Sequence, residues 1–366
     1  MAKLIDLCSK GSSNIAQKDL AACEGQYPIY GAAGFIKNVD FYHQDKPYIA
    51  IVKDGAGVGR VMKLPAHSSA IGTMQYIIPN EGVNVSYLAY ALEHMNLAKY
   101  YLGAAIPHIY FKDYCNEELP THTAEEQNNI ALSLDKVTEL IALRKEQLAK
   151  LDQLAKSRFI ELFGDPKLND KGWNSCAVSD YFDVKGGKRI PKGMGYSDEK
   201  TNHPYLRATD MKNETIIEDD IHYIDDDVFQ HIKRYTVKGG DIYLTNVGVN
   251  LGMAGVIPQK FDGASLTENA VKLVPKTEKV IDGLFLAHYI NSPGIQEYIN
   301  ERKMTVGVPK LAIFRIETMP LLIPPMDIQR DFNTFVKQTD KSKLAIQQSL
   351  DKLETLKKSL MQEYFG

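Results

Sequence analysis

This 366-residue chain contains no stretch near the roughly 18 consecutive apolar residues of a membrane span, and its start, MAKLIDLCSK, has no apolar run of signal-peptide length. Its four cysteines, Cys8, Cys23, Cys115 and Cys176, are scattered without metal-type spacing. Such usage argues against a disulfide frame and for reduced thiols, hence a cytoplasmic location. The net charge of −3 excludes a uniformly basic polyanion binder, so any basic surface must be local. Catalytic signatures are missing as well. There is no G-x-S-x-G element and no N/D-P-P-Y/F tetrapeptide, and His67, His94, His108, His222 and His231 show no metal spacing. Gly55-Ala56-Gly57-Val58-Gly59 fits neither phosphate-binding glycine motif and reads as a tight turn beside a strand. Asp225-Asp226-Asp227 reads as a solvated acidic run. With no catalytic constellation and no metal site, the chain is expected to be non-catalytic, a binding or adaptor protein.

Proline and glycine are also absent from two long stretches, and these organise the rest. Residues 127–163 and 329–365 contain neither, and a glycine follows each stretch directly. The two align without a gap at a displacement of 202: Gln127 meets Gln329, Leu151 meets Leu353, and Phe163-Gly164 meets Phe365-Gly366. A fixed-period self-match means one plan used twice. In the first copy Ile130, Leu134, Val137, Ile141, Leu148, Leu151 and Leu162 recur largely in steps of four and three. Phe332, Val336, Ile346, Leu350, Leu353 and Leu360 do the same in the second. That spacing keeps one apolar stripe on one helix face, the seam of a coiled coil. Each rod would be roughly 55–60 Å long. A rod with a single stripe needs a partner, so the two are expected to pair antiparallel, with Arg144, Arg158, Lys343 and Lys357 interrupting the seam and helping to set register.

A globular block precedes each rod. The first has a turn-rich segment over Tyr27–Gly34, short strands over Tyr48–Val52 and Met74–Pro79, and helical periodicity over Ser86–Tyr101. The second has strand-like stretches starting at Pro204, within 240–248 and over Ala270–Pro275, and a helical pattern over Leu284–Asn300. The repeat reaches into the blocks: Ile106-Pro107 lies over Val308-Pro309, and Gln75–Pro79 over Val271–Pro275 at a displacement of 196. The boundaries expected are 1–122 and 166–325 for the blocks, 123–165 and 326–366 for the helices. The fold class is α+β: two mixed α/β domains and two long antiparallel coiled-coil helices in an approximate two-fold, circular order. The start of the first block should then lie near Gly366, and that of the second near Gly164.

The blocks diverge while the rods stay alike, so the blocks recognise different things. The richest local signal is Lys185-Gly186-Gly187-Lys188-Arg189-Ile190-Pro191-Lys192, cationic tips among glycine amides in an otherwise acidic chain. Lysine and arginine suit phosphate oxygens, and arginine suits a guanine edge. Lys53 and Arg60 flank the first block's glycine turn and could face a phosphate. Arg207, Asn246 and Asn250 are further candidates, since asparagine can bond adenine through two hydrogen bonds.

In order of parts, the chain resembles the DNA-specificity subunits of type I restriction–modification systems. The features carrying the likeness are Leu119-Pro120 and Ile323-Pro324-Pro325 before the rods, Phe163-Gly164 and Phe365-Gly366 at their ends, Tyr27–Gly34, the Gly-Gly-Lys-Arg segment and Gly307-Val308-Pro309. The resemblance covers essentially the whole chain. It implies that each block is a target-recognition domain reading half of a split, asymmetric double-stranded DNA site, and that the rods are spacers. It implies no catalysis in this chain. Two methyltransferase subunits would methylate adenine using S-adenosylmethionine, and restriction subunits would cleave DNA with ATP and Mg. Little sequence precedes the first block, a departure from longer relatives that bears on any N-terminal segment partners use. The alternatives are a coiled-coil adaptor that does not bind DNA, and a fused DNA methyltransferase.

Overall fold

The computed structural model describes residues 1–101, 107–276 and 280–366. Ile106, aligned with Val308 above, lies outside them. The chain divides into two compact units, Met1–Leu148 with Ala345–Gly366, and Ala149–Leu344. Both long helices run on through that division.

The first unit contains β1 (Ala2–Lys3), β2 (Cys8–Ser12), β3 (Tyr27–Gly31), β4 (Gly34–Val39), β5 (Tyr48–Val52), β6 (Val61–Leu64), β7 (Ser69–Ala70), β8 (Met74–Pro79), helix α1 (Val85–His94) and β9 (Glu118–Leu119). Helix α2 (Ala124–Phe163) begins there. The second holds β10 (Asn174–Ala177), β11 (Phe182–Gly186), β12 (Pro204–Leu206), β13 (Met211–Lys212), β14 (Thr215–Ile216), β15 (His222–Tyr223), β16 (Ile242–Thr245), β17 (Ala254–Val256), β18 (Ser265–Leu266), β19 (Ala270–Pro275), helices α3 (Gly283–Asn291) and α4 (Pro293–Arg302), and β20 (Pro320–Ile323). Helix α5 (Met326–Phe365) starts in the second unit and ends in the first.

The internal duplication extends to the sheet topology. A four-stranded antiparallel sheet runs β2-β8-β5-β6 in one unit and β11-β19-β16-β17 in the other. A three-stranded sheet runs β4-β3-β7 and β15-β12-β18, each with one parallel pair, and a two-stranded one pairs β1 with β9 and β10 with β20. Only the hairpin β13–β14 has no counterpart among the described strands. Even the turns correspond: Gly55 N–H donates to Pro107 O, and Gly248 N–H to Pro309 O, both at 2.9 Å.

Strand β5 shows why a short apolar run without alternation becomes a strand here. All five residues are buried, and they alternate between two cores. Ile49 and Ile51 join the core that holds α1 and both long helices, while Tyr48, Ala50 and Val52 join the core against the three-stranded sheet. A strand covered on both faces has no polar side to show. In the second unit Ile242 and Leu244 pack toward Phe159, Phe332 and Val336, and Tyr243 packs the opposite way.

The helix stripe is buried or half-buried throughout its length. Ile130, Leu134, Val137, Phe332, Val336 and Leu350 are buried, and Ile141, Leu148, Leu151, Leu162, Ile346, Leu353 and Leu360 half-buried. Within each unit the helices run antiparallel. Leu134 shares a core with Met361 in the first, and in the second Phe332 packs on Phe159 and Phe163 with ring centroids 5.5 and 5.4 Å apart. Two seam interruptions reach across to the opposite helix: Arg144 Nε donates to Ser349 Oγ at 3.2 Å, and Lys343 meets Asp152 at 2.7 Å. Arg158 and Lys357 do not cross. Arg158 pairs along its own helix with Glu161, and Lys357 turns to Glu93 and the Tyr90 ring on α1. Leu4 shares the core of Met361 and Phe365, and Trp173 Nε1 donates to Phe163 O at 3.0 Å, so each globular block begins beside the end of a long helix. Gly164 ends α2 in the left-handed region (φ 75°), as a helix-terminating glycine does.

Two expectations are corrected. The segment Tyr27–Gly34 contains strand β3, with Pro28 lying outside the stretch paired with β7, which starts at Ile29. The helical pattern over Leu284–Asn300 is broken in two, because Ser292 is extended and Pro293 opens α4 at a position needing no N–H.

A repeated glutamine ties each long helix to its block. Gln329, fully buried, accepts from the Asp282 N–H at 2.8 Å and donates to Pro324 O at 2.8 Å and Val280 O at 3.2 Å. Gln127 accepts from Asn84 N–H at 3.0 Å and donates to His122 O at 2.9 Å. Asn84 and Asp282 are the N-caps of α1 and α3. Gln329→Ala strands one N–H and two carbonyls and should cost about 2–3 kcal/mol. Gln127→Ala, with one bond fewer, should cost about 1–2 kcal/mol. Denaturant midpoints of the two variants check the order.

Candidate nucleic-acid interface

The second unit opens a cleft of about 480 Å³ at the end of the parallel pair β12–β18. Its walls include Arg189, Tyr196, Tyr205, Arg207, Thr209 and Glu268. The basic loop reaches it from β11. Gly187 N–H donates to Ala270 O at 3.1 Å and Lys188 N–H to Leu266 O at 2.8 Å, which lays the loop on the end of β18. Residue 187 must be glycine for this, because a Cβ there would collide with the carbonyl oxygens of Leu266 and Thr267. Arg189 is thereby delivered to Glu268, with Nε 2.5 Å from Oε1.

Aromatic rings form the adjoining wall. Tyr196 packs edge-on to Tyr205 and His222, with centroids 5.8 and 4.4 Å away. Tyr205 donates its hydroxyl to Lys188 O at 2.8 Å, and burial pushes that phenol up, so it remains a donor. Burial also pushes the Glu268 carboxyl up, but hydrogen bonds from Arg189, its own backbone and Thr267 and the nearby guanidinium charge outweigh it and hold the group below the ordinary range. The cleft thus combines a fixed anion, an exposed cation and aromatic faces.

A model of the type I restriction modification DNA specificity domain matches residues 1–153 and 170–357. The chain belongs to this family. One curated relative is the Type I restriction enzyme MjaIX specificity subunit of Methanocaldococcus jannaschii, 26% identical over 291 residues. The match covers 71% of this chain and 63% of that protein, so the chain spans just under two thirds of that relative's length. Among solved structures, the S subunit of a type-I restriction-modification system from M. genitalium aligns over 100% of this chain and 95% of its own, with a TM-score of 0.64 at 16% identity. A chain from a structure concerning complex assembly and conformational transition of the type I R-M system aligns over 99% and 96%, with a TM-score of 0.57 at 14% identity. At these identities the structural likeness establishes a shared fold.

In this specificity-family member the residues proposed from sequence separate into groups. Arg189 and Arg207 line the cleft, and the Lys188 backbone borders it. Lys188 is exposed, its Nζ 5.8 Å from the Tyr235 ring; Lys192 is exposed further along the loop. Lys185 lies exposed on β11, 3.4 Å from Asp183. Arg207 is engaged within its own unit. Its guanidinium is shared among Asp210, Asp220 and His222, with contacts of 2.7, 2.9 and 3.2 Å, and only 21% of the side chain is exposed. Asn246 is buried, and its Nδ2 donates to Leu311 O at 3.3 Å. Asn250 is half-buried and donates to Ala208 O at 3.4 Å.

In the first unit Lys53 pairs with Asp54 at 2.8 Å, and exposed Arg60 donates to Ala32 O at 2.8 Å. Strand register makes these faces comparable. Ile29 and Tyr30 pair with Ser69 and Ala70 as Tyr205 and Leu206 pair with Ser265 and Leu266. Gly31 and Gly72 therefore occupy the positions of Arg207 and Glu268. Sequence reasoning missed Glu268, Tyr196 and Tyr205. The displacement of 196 that aligns β8 with β19 already set Gly72 over Glu268, and that mismatch was the available signal. No helix among the described residues is long and apolar enough to cross a membrane.

Proposed function

We propose that this chain is the DNA-specificity subunit of a type I restriction–modification system, reading a split, asymmetric double-stranded site. Residues 1–122 and 166–325 are the target-recognition domains, each engaging one half-site, and 123–165 and 326–366 are the spacer helices. Two methyltransferase subunits dock on it and methylate adenine with S-adenosylmethionine, and restriction subunits add ATP- and Mg-dependent cleavage. This chain supplies recognition and no chemistry, and works in the cytoplasm with the chromosome.

The observation carrying this reading is one fold built twice with its cleft face rebuilt. The sheets keep order and register, while Gly31 and Gly72 in one unit stand where Arg207 and Glu268 stand in the other. Equal scaffolds with unequal faces suit two different half-sites, since base-edge contacts carry sequence information. A genome-wide map of N6-methyladenine in the source cell, with and without the gene, tests it. Loss of one split, asymmetric motif is expected. An unchanged map, together with no methyltransferase subunit co-purifying with the chain, would favour an adaptor that does not bind DNA.

A further inference from the structure

The cleft of the second unit contains a carboxylate that phosphate binding does not explain. An anion on a surface facing a polyanion lowers affinity, so Glu268 opposes the electrostatics of the site. Both its oxygens are committed within the protein. Oε1 accepts from Arg189 Nε at 2.5 Å and Oε2 from Thr267 Oγ1 at 3.2 Å; the Tyr205 hydroxyl, whose proton goes to Lys188 O, lies 3.4 Å from Oε2. With a protein donor on each oxygen and most of the side chain covered, the carboxylate is held toward its own unit. Its environment is fixed by β12 and β18, and its side chain is 29% exposed.

Arg189 is the reverse case, 78% exposed. Among the described residues it is held through Nε alone, and its two terminal nitrogens have no protein partner. A guanidinium fixed at Nε offers its terminal fork with part of its rotamer freedom already removed. That fork matches guanine O6 and N7. A carboxylate beside a phosphate-binding arginine repels the same phosphate and offsets what the bracing gains; a neutral base edge is not repelled in this way.

We propose that Arg189, braced by Glu268, reads a single guanine in the half-site engaged by the second unit, with Glu268 a positioning residue that does not touch DNA. The inference rests on reading the chain as a DNA-specificity subunit. It confines the device to one half-site, because Gly72 stands at the Glu268 position of the first unit.

The test uses the complex with its methyltransferase partner, mapping methylated motifs and measuring binding to duplexes varied at every half-site position. Arg189→Lys keeps the charge and loses the fork; Glu268→Ala removes the brace; Glu268→Gln keeps an acceptor. All three should relax the same guanine position, the first two losing roughly 10- to 100-fold of discrimination there and Glu268→Gln less. The other half-site should be unchanged. Glu268→Ala should also leave non-specific binding equal or tighter, with an unaltered salt slope, which a merely structural role would not produce. Weakening across the whole half-site with the motif intact would overturn the proposal, as would effects of the two residues at different positions or at a base other than guanine. A wild-type complex that leaves no split motif would overturn the parent reading, and this inference with it.

Discussion

Phe332→Ala is expected to destabilise the second unit by about 3–5 kcal/mol, the usual range for emptying a buried phenylalanine site. Phe332 is fully buried on α5, edge-on to Phe159, Phe163 and His288 at 5.5, 5.4 and 5.2 Å. Phe285 completes the cluster, 4.7 Å from Phe163. Two rings come from α2, one from α5 and two from α3, so one side chain joins three elements and a cavity there is lined by rings that cannot easily collapse. Burial holds His288 down at about 4, so a neutral imidazole faces Phe332 near pH 7. The position of Phe332 in the repeat corresponds to Ile130 in the first unit, which is buried with Met361 and Phe365. Ile130→Ala removes fewer atoms from a more deformable setting and should cost about 2–3 kcal/mol. Denaturant unfolding with hydrogen exchange read separately over 149–163 and 326–344 checks the claim. A loss under about 1 kcal/mol for Phe332→Ala would show that the cluster is not what secures α5 to its unit.

What could be read in the sequence divides by the range of the interactions involved. The helices were legible because each residue's fate is set by neighbours three and four positions away, and because the chain states the pattern twice. Strand β5 was legible as a short continuous apolar run, and β8 and β19 as apolar runs interrupted once, by Gln75 and Lys272. Strand β3 was not, since Pro28 and Gly31 read locally as turn residues and only pairing with β4 and β7 makes them a strand. The break between α3 and α4 was written in Ser292-Pro293, but apolar periodicity on both sides obscured it. The surroundings of the candidate interface residues were not legible where partners are remote. Arg207 looks like a free cation until Asp220, 13 residues on, folds over it; Asn246 looks available until Leu311, 65 residues on, takes its amide. Glu268 acquires meaning only beside Arg189, 79 residues earlier, so no local reading could have singled it out.

Adding one helical turn to each long helix should lengthen the DNA spacer and leave both half-sites unaltered. The insertion points are after Leu148 and after Leu344, where the chain divides into its two units, so the contacts within each unit are kept. These include Arg144 with Ser349 in the first and Lys343 with Asp152 in the second. Four residues add roughly 6 Å of helix. With DNA rising about 3.4 Å per base pair, the spacer should grow by one or two base pairs. Four residues also overshoot a full turn slightly, a change that coiled coils absorb by local unwinding, so the apolar stripe can continue on the same face. Insertion into one helix alone leaves the partner without matching length and should abolish assembly instead of retargeting it. Methylome mapping of the doubly extended variant reads spacer and half-sites together. Altered half-site bases would refute the division of labour between blocks and helices. An unchanged spacer with methylation intact would mean that something other than helix length measures the gap, and the repeat would then need another explanation than a ruler used twice.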